Sequence, residues 1–261
     1  MPERPRLDAV LLDAGGTLVR IDYEWLAGAV SALGHALDSG TLRRGEIEGR
    51  RRYDASSGRA LEPGDDHPAL GSSGDIRAYF TGMLEAAHVP AALHAPVEAA
   101  LHARQAEPIG LWSRTAEGAP RALEGMRALG LRLAVVSNSD GRAEAHLVHA
   151  GVREGLEFVV DSQLVGVEKP DPGIFRIALE RMAVPAERAL YVGDMRSVDE
   201  RGARAAGMHA VILDPYGDYV PGDRSSIASI ADLPAWIESR FDVPNGTARA
   251  AGAAHDGGRI R

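Results

Sequence analysis

The chain has 261 residues, of which 45% are apolar, and a formal net charge of −8. That length suits one core domain plus an insertion, since domains run to roughly 100–200 residues, and the acidic balance disfavours general nucleic-acid binding, which needs a concentrated basic patch. Having no cysteine excludes disulfides and thiolate metal sites, and fits a reducing compartment.

Ala9 to Leu12 is an apolar run ending at Asp13, with Gly15 and Gly16 behind it. It reads as a buried strand and a tight turn. Leu26, Val30, Leu33 and Leu37 follow helical spacing, with Asp22 as N-cap and Gly40 as stop. The pattern repeats at Ile76, Tyr79, Phe80, Met83 and Leu84 behind Asp75, and again at Leu93, Val97 and Leu101. Ala55 to Gly74 reads as a long loop, and Arg50-Arg51-Arg52 as a solvated helix face. Residues 21–106 are therefore expected to form a helical cap inserted in an α/β core of residues 1–20 and 107–243.

From residue 107 strands and helices alternate. Strands are expected at Leu131–Val136, Phe158–Val160, Ala189–Val192 and His209–Leu213. Helices are expected around Leu123–Leu129, after Asp140 as cap, at Ile174–Met182 and at Gly202–Ala206. This rhythm implies a parallel sheet. Residues 244–261 are Gly-, Ala- and Arg-rich and read as a disordered tail. No apolar run approaches the ~18 residues of a membrane helix. Met1–Leu12 does not read as a signal peptide, so a cytoplasmic protein without a membrane partner is expected.

Four polar positions fall after strands or in a crossover: Asp13, Ser137, Lys169 and Asp194. In open parallel sheets, ligands sit beyond the carboxyl ends of the strands, where strand order reverses. A carboxylate beside a phosphate needs a cation between them, and magnesium takes one or two carboxylates plus substrate phosphate. Asp13 and Asp194 supply those carboxylates, Asp13 can act as nucleophile, Ser137 can donate to a phosphate oxygen, and Lys169 can balance the charge. Lys169 is the chain's only lysine among 29 basic residues. His146 and His149 are read as structural.

Asp13-Ala14-Gly15-Gly16-Thr17-Leu18 resembles the first motif of the haloacid dehalogenase-like superfamily. Ser137-Asn138 resembles the second, Glu168-Lys169-Pro170-Asp171-Pro172 the third, and Gly193-Asp194 with Asp199 the fourth. Four motifs in order are a specific signal. The resemblance implies a flavodoxin-like three-layer core with an all-α cap, and a phosphatase acting on a small phosphorylated metabolite through an aspartyl-phosphate on Asp13. It implies magnesium held by Asp13, Asp194 and the Gly15 carbonyl, with Asp199 steadying Lys169 or a metal-bound water. Ser137, Asn138, Lys169 and Gly16 would border the phosphate. Asp194 argues against the family's metal-free dehalogenases, and a cap without lysine argues against its Schiff-base phosphonate chemistry.

Gly15 breaks the pattern. The family's phosphatases carry there an Asp that protonates the leaving group and activates water. Losing such help typically costs about 10²–10⁴-fold, or about 3–5 kcal/mol of barrier. Three readings stay open. Asp22, Glu24, Asp65, Asp66 or His67 of the cap could replace it; the substrate could carry a good leaving group such as an acyl phosphate; or the protein could bind a phosphorylated metabolite without turnover.

Overall fold

The computed structural model describes residues 4–57, 74–217 and 225–245. Six parallel strands form the central sheet in the order β5-β4-β1-β6-β7-β8. They are β1 (Ala9–Leu12), β4 (Arg132–Ser137), β5 (Val159–Asp161), β6 (Ala189–Gly193), β7 (His209–Leu213) and β8 (Ser226–Ile227). β1 lies between β4 and β6, with Leu12 opposite Val135 on one side and Val192 on the other. Their side chains alternate between two cores, as a strand period of two requires. Val10, Leu12, Val135 and Val192 pack with α5 (Ala119–Ala128), α6 (Ala143–His149) and α10 (Leu233–Arg240). Ala9, Leu11, Val136 and Tyr191 pack with α8 (Pro172–Met182) and α9 (Arg201–Ala205). The result is a three-layer sandwich with helices on both faces. A short helix, α7 (Ser162–Val165), follows β5.

The inserted segment carries α1 (Tyr23–Ala32), α2 (Ser39–Ser56), α3 (Ile76–Ala86) and α4 (His94–Gln105) around its own apolar cluster. A two-stranded antiparallel ribbon, β2 (Val19–Ile21) with β3 (Trp112–Thr115), joins it to the core. That ribbon is too short to show in the sequence pattern. Asp22 caps α1 by accepting from the Trp25 N–H at 3.0 Å. The helix ends far before Gly40, because Gly34 takes a left-handed φ of 90°. Gly40 lies instead inside α2, which the periodicity did not reveal. α2 packs against α3 through glycine: a Cβ on Gly45 would lie 2.5 Å from the Met83 carbonyl oxygen, and one on Gly49 2.7 Å from that of Tyr79. Its buried face is thus close backbone contact with little apolar side chain.

Asp140 does not cap α6. It accepts from Gln105 and Arg142, while Asp161 accepts from the Gly141 and Ala143 N–H groups at 3.1 Å each. The expected loop loses Ala55 and Ser56 to α2, and residues 58–73 lie outside the described residues, as do residues 246–261 of the expected tail. Among the described residues, no helix is long and apolar enough to cross a membrane.

Candidate active site

β1, β4 and β6 end side by side, so the residues after them share one crevice that the inserted helices also line. Asp13 follows β1, Ser137 closes β4, and Asp194 follows β6. Lys169 comes from the crossover into α8. All four line one cavity of about 130 Å³, and all are buried, Lys169 to 1% exposure.

Lys169 organises the centre. Its Nζ lies 2.8 Å from Asp13 Oδ1, 2.8 Å from Asp199 Oδ1 and 2.9 Å from the Tyr191 hydroxyl. An ammonium has three protons, so each finds a partner. Burial works against its charge, but Asp13 and Asp199 outweigh that and raise its pKa above the ordinary lysine value. The backbone of Lys169 is gripped as well. Its N–H donates to Asn138 Oδ1 at 2.7 Å, and its carbonyl accepts from Asn138 Nδ2 at 2.9 Å. Both ends of the Asn138 amide thus meet Lys169.

The carboxylates are crowded. Asp13, Asp194 and Asp199 each offer an oxygen within 4.8 Å of the others. Asp13 is lifted to about 6, by burial first and against the pull of Lys169, with Asp199 adding to the rise. Asp194 is pushed well up by burial; Arg50 opposes the shift, and Asp199 and Asp13 reinforce it. Asp199 is already committed: its Oδ2 accepts the Asp194 and Met195 N–H groups at 3.0 and 2.9 Å, and its Oδ1 accepts from Lys169. It sits in a single turn of π-helix at Arg196–Glu200, a distortion common at functional sites. Gly16 is required twice over. Its φ is 75°, and a Cβ there would lie 2.2 Å from Asp194 Oδ2.

Several residues in and around the cavity carry no sequence signal of a place there. Glu46 of α2 is buried, and accepts from Tyr23 at 2.5 Å and Tyr79 at 2.7 Å, with Arg20 at 3.7 Å. Burial and the Glu46 charge push both phenols well above their usual pKa, so they stay neutral donors. Tyr191 donates to the Val136 carbonyl at 2.8 Å. His146 lines the cavity with a buried Nε2 that has no hydrogen-bond partner among the described residues, and burial lowers its pKa. Arg50, read as part of a solvated face, is 2% exposed and donates to the Leu213 carbonyl of β7. It ties α2 to the central sheet, whereas Arg51 does face solvent.

The cap residues weighed as proton donors divide. Asp22 caps α1 and pairs with Arg114 at 3.0 Å, and the exposed Glu24 pairs with the same arginine; neither lines the cavity. Asp65, Asp66 and His67 lie outside the described residues.

Known proteins resemble this chain in sequence and fold. The chain is 48% identical over 97 residues to haloacid dehalogenase-like hydrolase domain-containing protein 3 of Mus musculus, covering 37% of this chain and 39% of that protein. It is 44% identical over 90 residues to a phosphoserine phosphatase of Thermus thermophilus, covering 34% and 36%. The matched stretches thus span well under half the length of these curated relatives. The fold matches the putative HAD-hydrolase YfnB of Bacillus subtilis with a TM-score of 0.57 at 18% identity, over 87% of this chain and 97% of that one. A family profile described as haloacid dehalogenase-like hydrolase matches residues 7–207. With ordered motifs, fold and profile in agreement, the chain belongs to the haloacid dehalogenase-like hydrolases.

Proposed function

We propose that the chain is a magnesium-dependent phosphatase for a small phosphorylated metabolite, with Asp13 as the nucleophile. The observation that carries this reading is the Lys169 ammonium, 2.8 Å from both Asp13 and Asp199, beside a third buried carboxylate on Asp194. One such ammonium leaves the cluster with excess negative charge in a site of low polarity. Burial raises the pKa of Asp13 and Asp194, and the neighbouring carboxylates add to the rise.

The residues fit a hard divalent cation. Asp13 and Asp194 supply carboxylate oxygens, and the Gly15 carbonyl can complete the protein donors. Gly16 keeps the space beside Asp194 free of side chain. The ion would supply charge neutralisation that lets an anionic nucleophile meet an anionic phosphate. Lys169 holds Asp13 in position and offers positive charge to the transferring group. Ser137 can donate to a phosphate oxygen. Asp199 and Asn138 hold Lys169 from opposite sides, and Tyr191 fills its third proton, so its position is fixed before substrate arrives.

In the reaction, an Asp13 oxygen bonds to phosphorus as the ester or anhydride oxygen departs with its electron pair. Water then attacks the phosphoaspartate, releasing inorganic phosphate and the free carboxylate. The relatives named as phosphatases support this reaction class. The test is a panel of phosphate monoesters and acyl phosphates with magnesium, run beside Asp13→Asn. Turnover in the wild type with none in the variant is expected. Equal turnover in both would refute the reading.

A further inference from the structure

Gly15 is the one position where the first motif lacks its proton donor, and the structure shows what occupies that direction. A Cβ built on Gly15 would lie 3.1 Å from Nε1 of Trp112, 3.3 Å from its Cδ1 and 3.8 Å from its Cε2. The backbone of Gly15 is not left-handed. Glycine leaves room here beside an indole edge that a Cβ would press by a few tenths of an ångström, and backbone strain plays no part.

Trp112 opens β3, at the joint between core and cap. Its ring packs against the apolar clusters of both bodies, and its centroid lies 6.2 Å from that of Phe80. Anchored so, the indole cannot move aside cheaply. Trp112 and Gly15 both line the cavity that holds Asp13. The indole N–H is a donor only, and half-buried tryptophans ordinarily find it an acceptor. Among the described residues this N–H has none.

Resting on the phosphatase reading above, we infer that Trp112 replaces the proton donor with a hydrogen-bond donor that keeps its proton. The substrates that follow are phosphates whose leaving group departs as a stable anion: acyl phosphates and esters of acidic hydroxyls. In the transfer, the Asp13 oxygen–phosphorus bond forms and the bond to the leaving oxygen breaks. The leaving oxygen takes the electron pair, with the Trp112 N–H against it. No proton moves from the protein. Any proton the product needs comes from water after release, and the water that hydrolyses the phosphoaspartate loses its proton to solvent.

The test is kcat/KM with magnesium across acetyl phosphate, para-nitrophenyl phosphate, phenyl phosphate and an alkyl phosphate. The expected result is a steep fall with leaving-group basicity, at least ~10²-fold from aryl to alkyl, the deficit that missing acid catalysis brings. Trp112→Phe keeps the ring and removes the N–H. It should cost about 10-fold on the more basic leaving groups, and less on acetyl phosphate. Gly15→Asp alone should gain nothing, because the indole crowds the new side chain. Gly15→Asp with Trp112→Ala should flatten the series and raise alkyl phosphate turnover.

A flat series in the wild type would overturn the inference, as would equal loss for every substrate in Trp112→Phe, or a flattened series in Gly15→Asp alone. A shallow series that steepens in His146→Gln would overturn it too, by revealing a proton donor in that imidazole. No turnover of any substrate, acetyl phosphate included, would fall on the phosphatase reading itself and remove the basis of this inference. Turnover with a flat series leaves that reading standing and removes this one.

Discussion

Two buried polar clusters face each other across the cleft, and their charge balance differs. In the core, Asp13, Asp194 and Asp199 crowd around one ammonium, with Arg50 reaching toward Asp194. In the inserted helical segment, Glu46 alone is met by two neutral phenols and by Arg20 of β2. The Glu46 cluster satisfies its charge with the groups around it, as buried polar networks must if they serve stability. The core cluster does not. Its carboxylate pKa values are lifted, and a group held in such a state is a candidate for chemistry. Burial alone does not separate function from architecture here; unbalanced charge does.

Four measurements can break or sharpen that contrast. Asp13→Asn should abolish turnover by at least ~10⁴-fold, since it removes the oxygen anion proposed to attack phosphorus. The same change should stabilise the metal-free fold at pH 8 by about 1–2 kcal/mol, because it deletes a charge that the site holds at a cost. Loss of stability with turnover kept would place Asp13 with the Glu46 type of cluster.

Lys169→Met should lower turnover by about 10²–10³-fold and destabilise the fold by about 3–5 kcal/mol, as removal of a buried ion-pair partner does. Lys169→Arg should rescue little. Three partners within 2.9 Å enclose a compact point charge, and the planar guanidinium is a different shape. Chemical denaturation and steady-state assays on the two variants check this.

Glu46→Gln should show the reverse signature of Asp13→Asn. It should cost about 2 kcal/mol, or about 4–8 °C of unfolding temperature, while turnover falls by less than ~10-fold. A larger kinetic than thermal effect would move Glu46 into the chemistry.

The smallest expected effect is on pH. Asp13 sits at about 6 in the folded chain against an ordinary 3.8. Its proton is thus held more tightly folded than unfolded. That contribution is full below pH ~4 and is lost as pH rises through about 6. In the proposed site magnesium would take the place of that proton, so its stabilising effect should be larger at pH 8 than at pH 5. Thermal unfolding with and without magnesium at both values reads this directly, and an equal shift would count against Asp13 as a ligand.

The sequence made the core more legible than the cap. Buried parallel strands are apolar runs, and the polar residue ending each run stands out against them. Asp13, Ser137 and Asp194 were visible for that reason, and Lys169 because it is the only lysine. α2 was not visible, since glycines 45 and 49 form its contact with α3 and no apolar stripe remains. Glu46 was hidden with it. Tyr191 reads from the sequence as one more apolar strand residue, though its hydroxyl reaches Lys169. Trp112 is an aromatic at a strand start, and only its position against Gly15 gives it meaning. Asp140 looked like a cap because it precedes a helix, but Arg142 and Gln105 claim its carboxylate and Asp161 takes over the helix end.

Calorimetric titration of magnesium at pH 8 into the wild type, Asp194→Asn and Glu46→Gln tests the central contrast most directly. The core cluster should bind one ion in the wild type and in Glu46→Gln, and Asp194→Asn should weaken that binding by about 10–100-fold. Binding unchanged by Asp194→Asn, or lost in Glu46→Gln alone, would contradict the assignment of the unbalanced charge to the core.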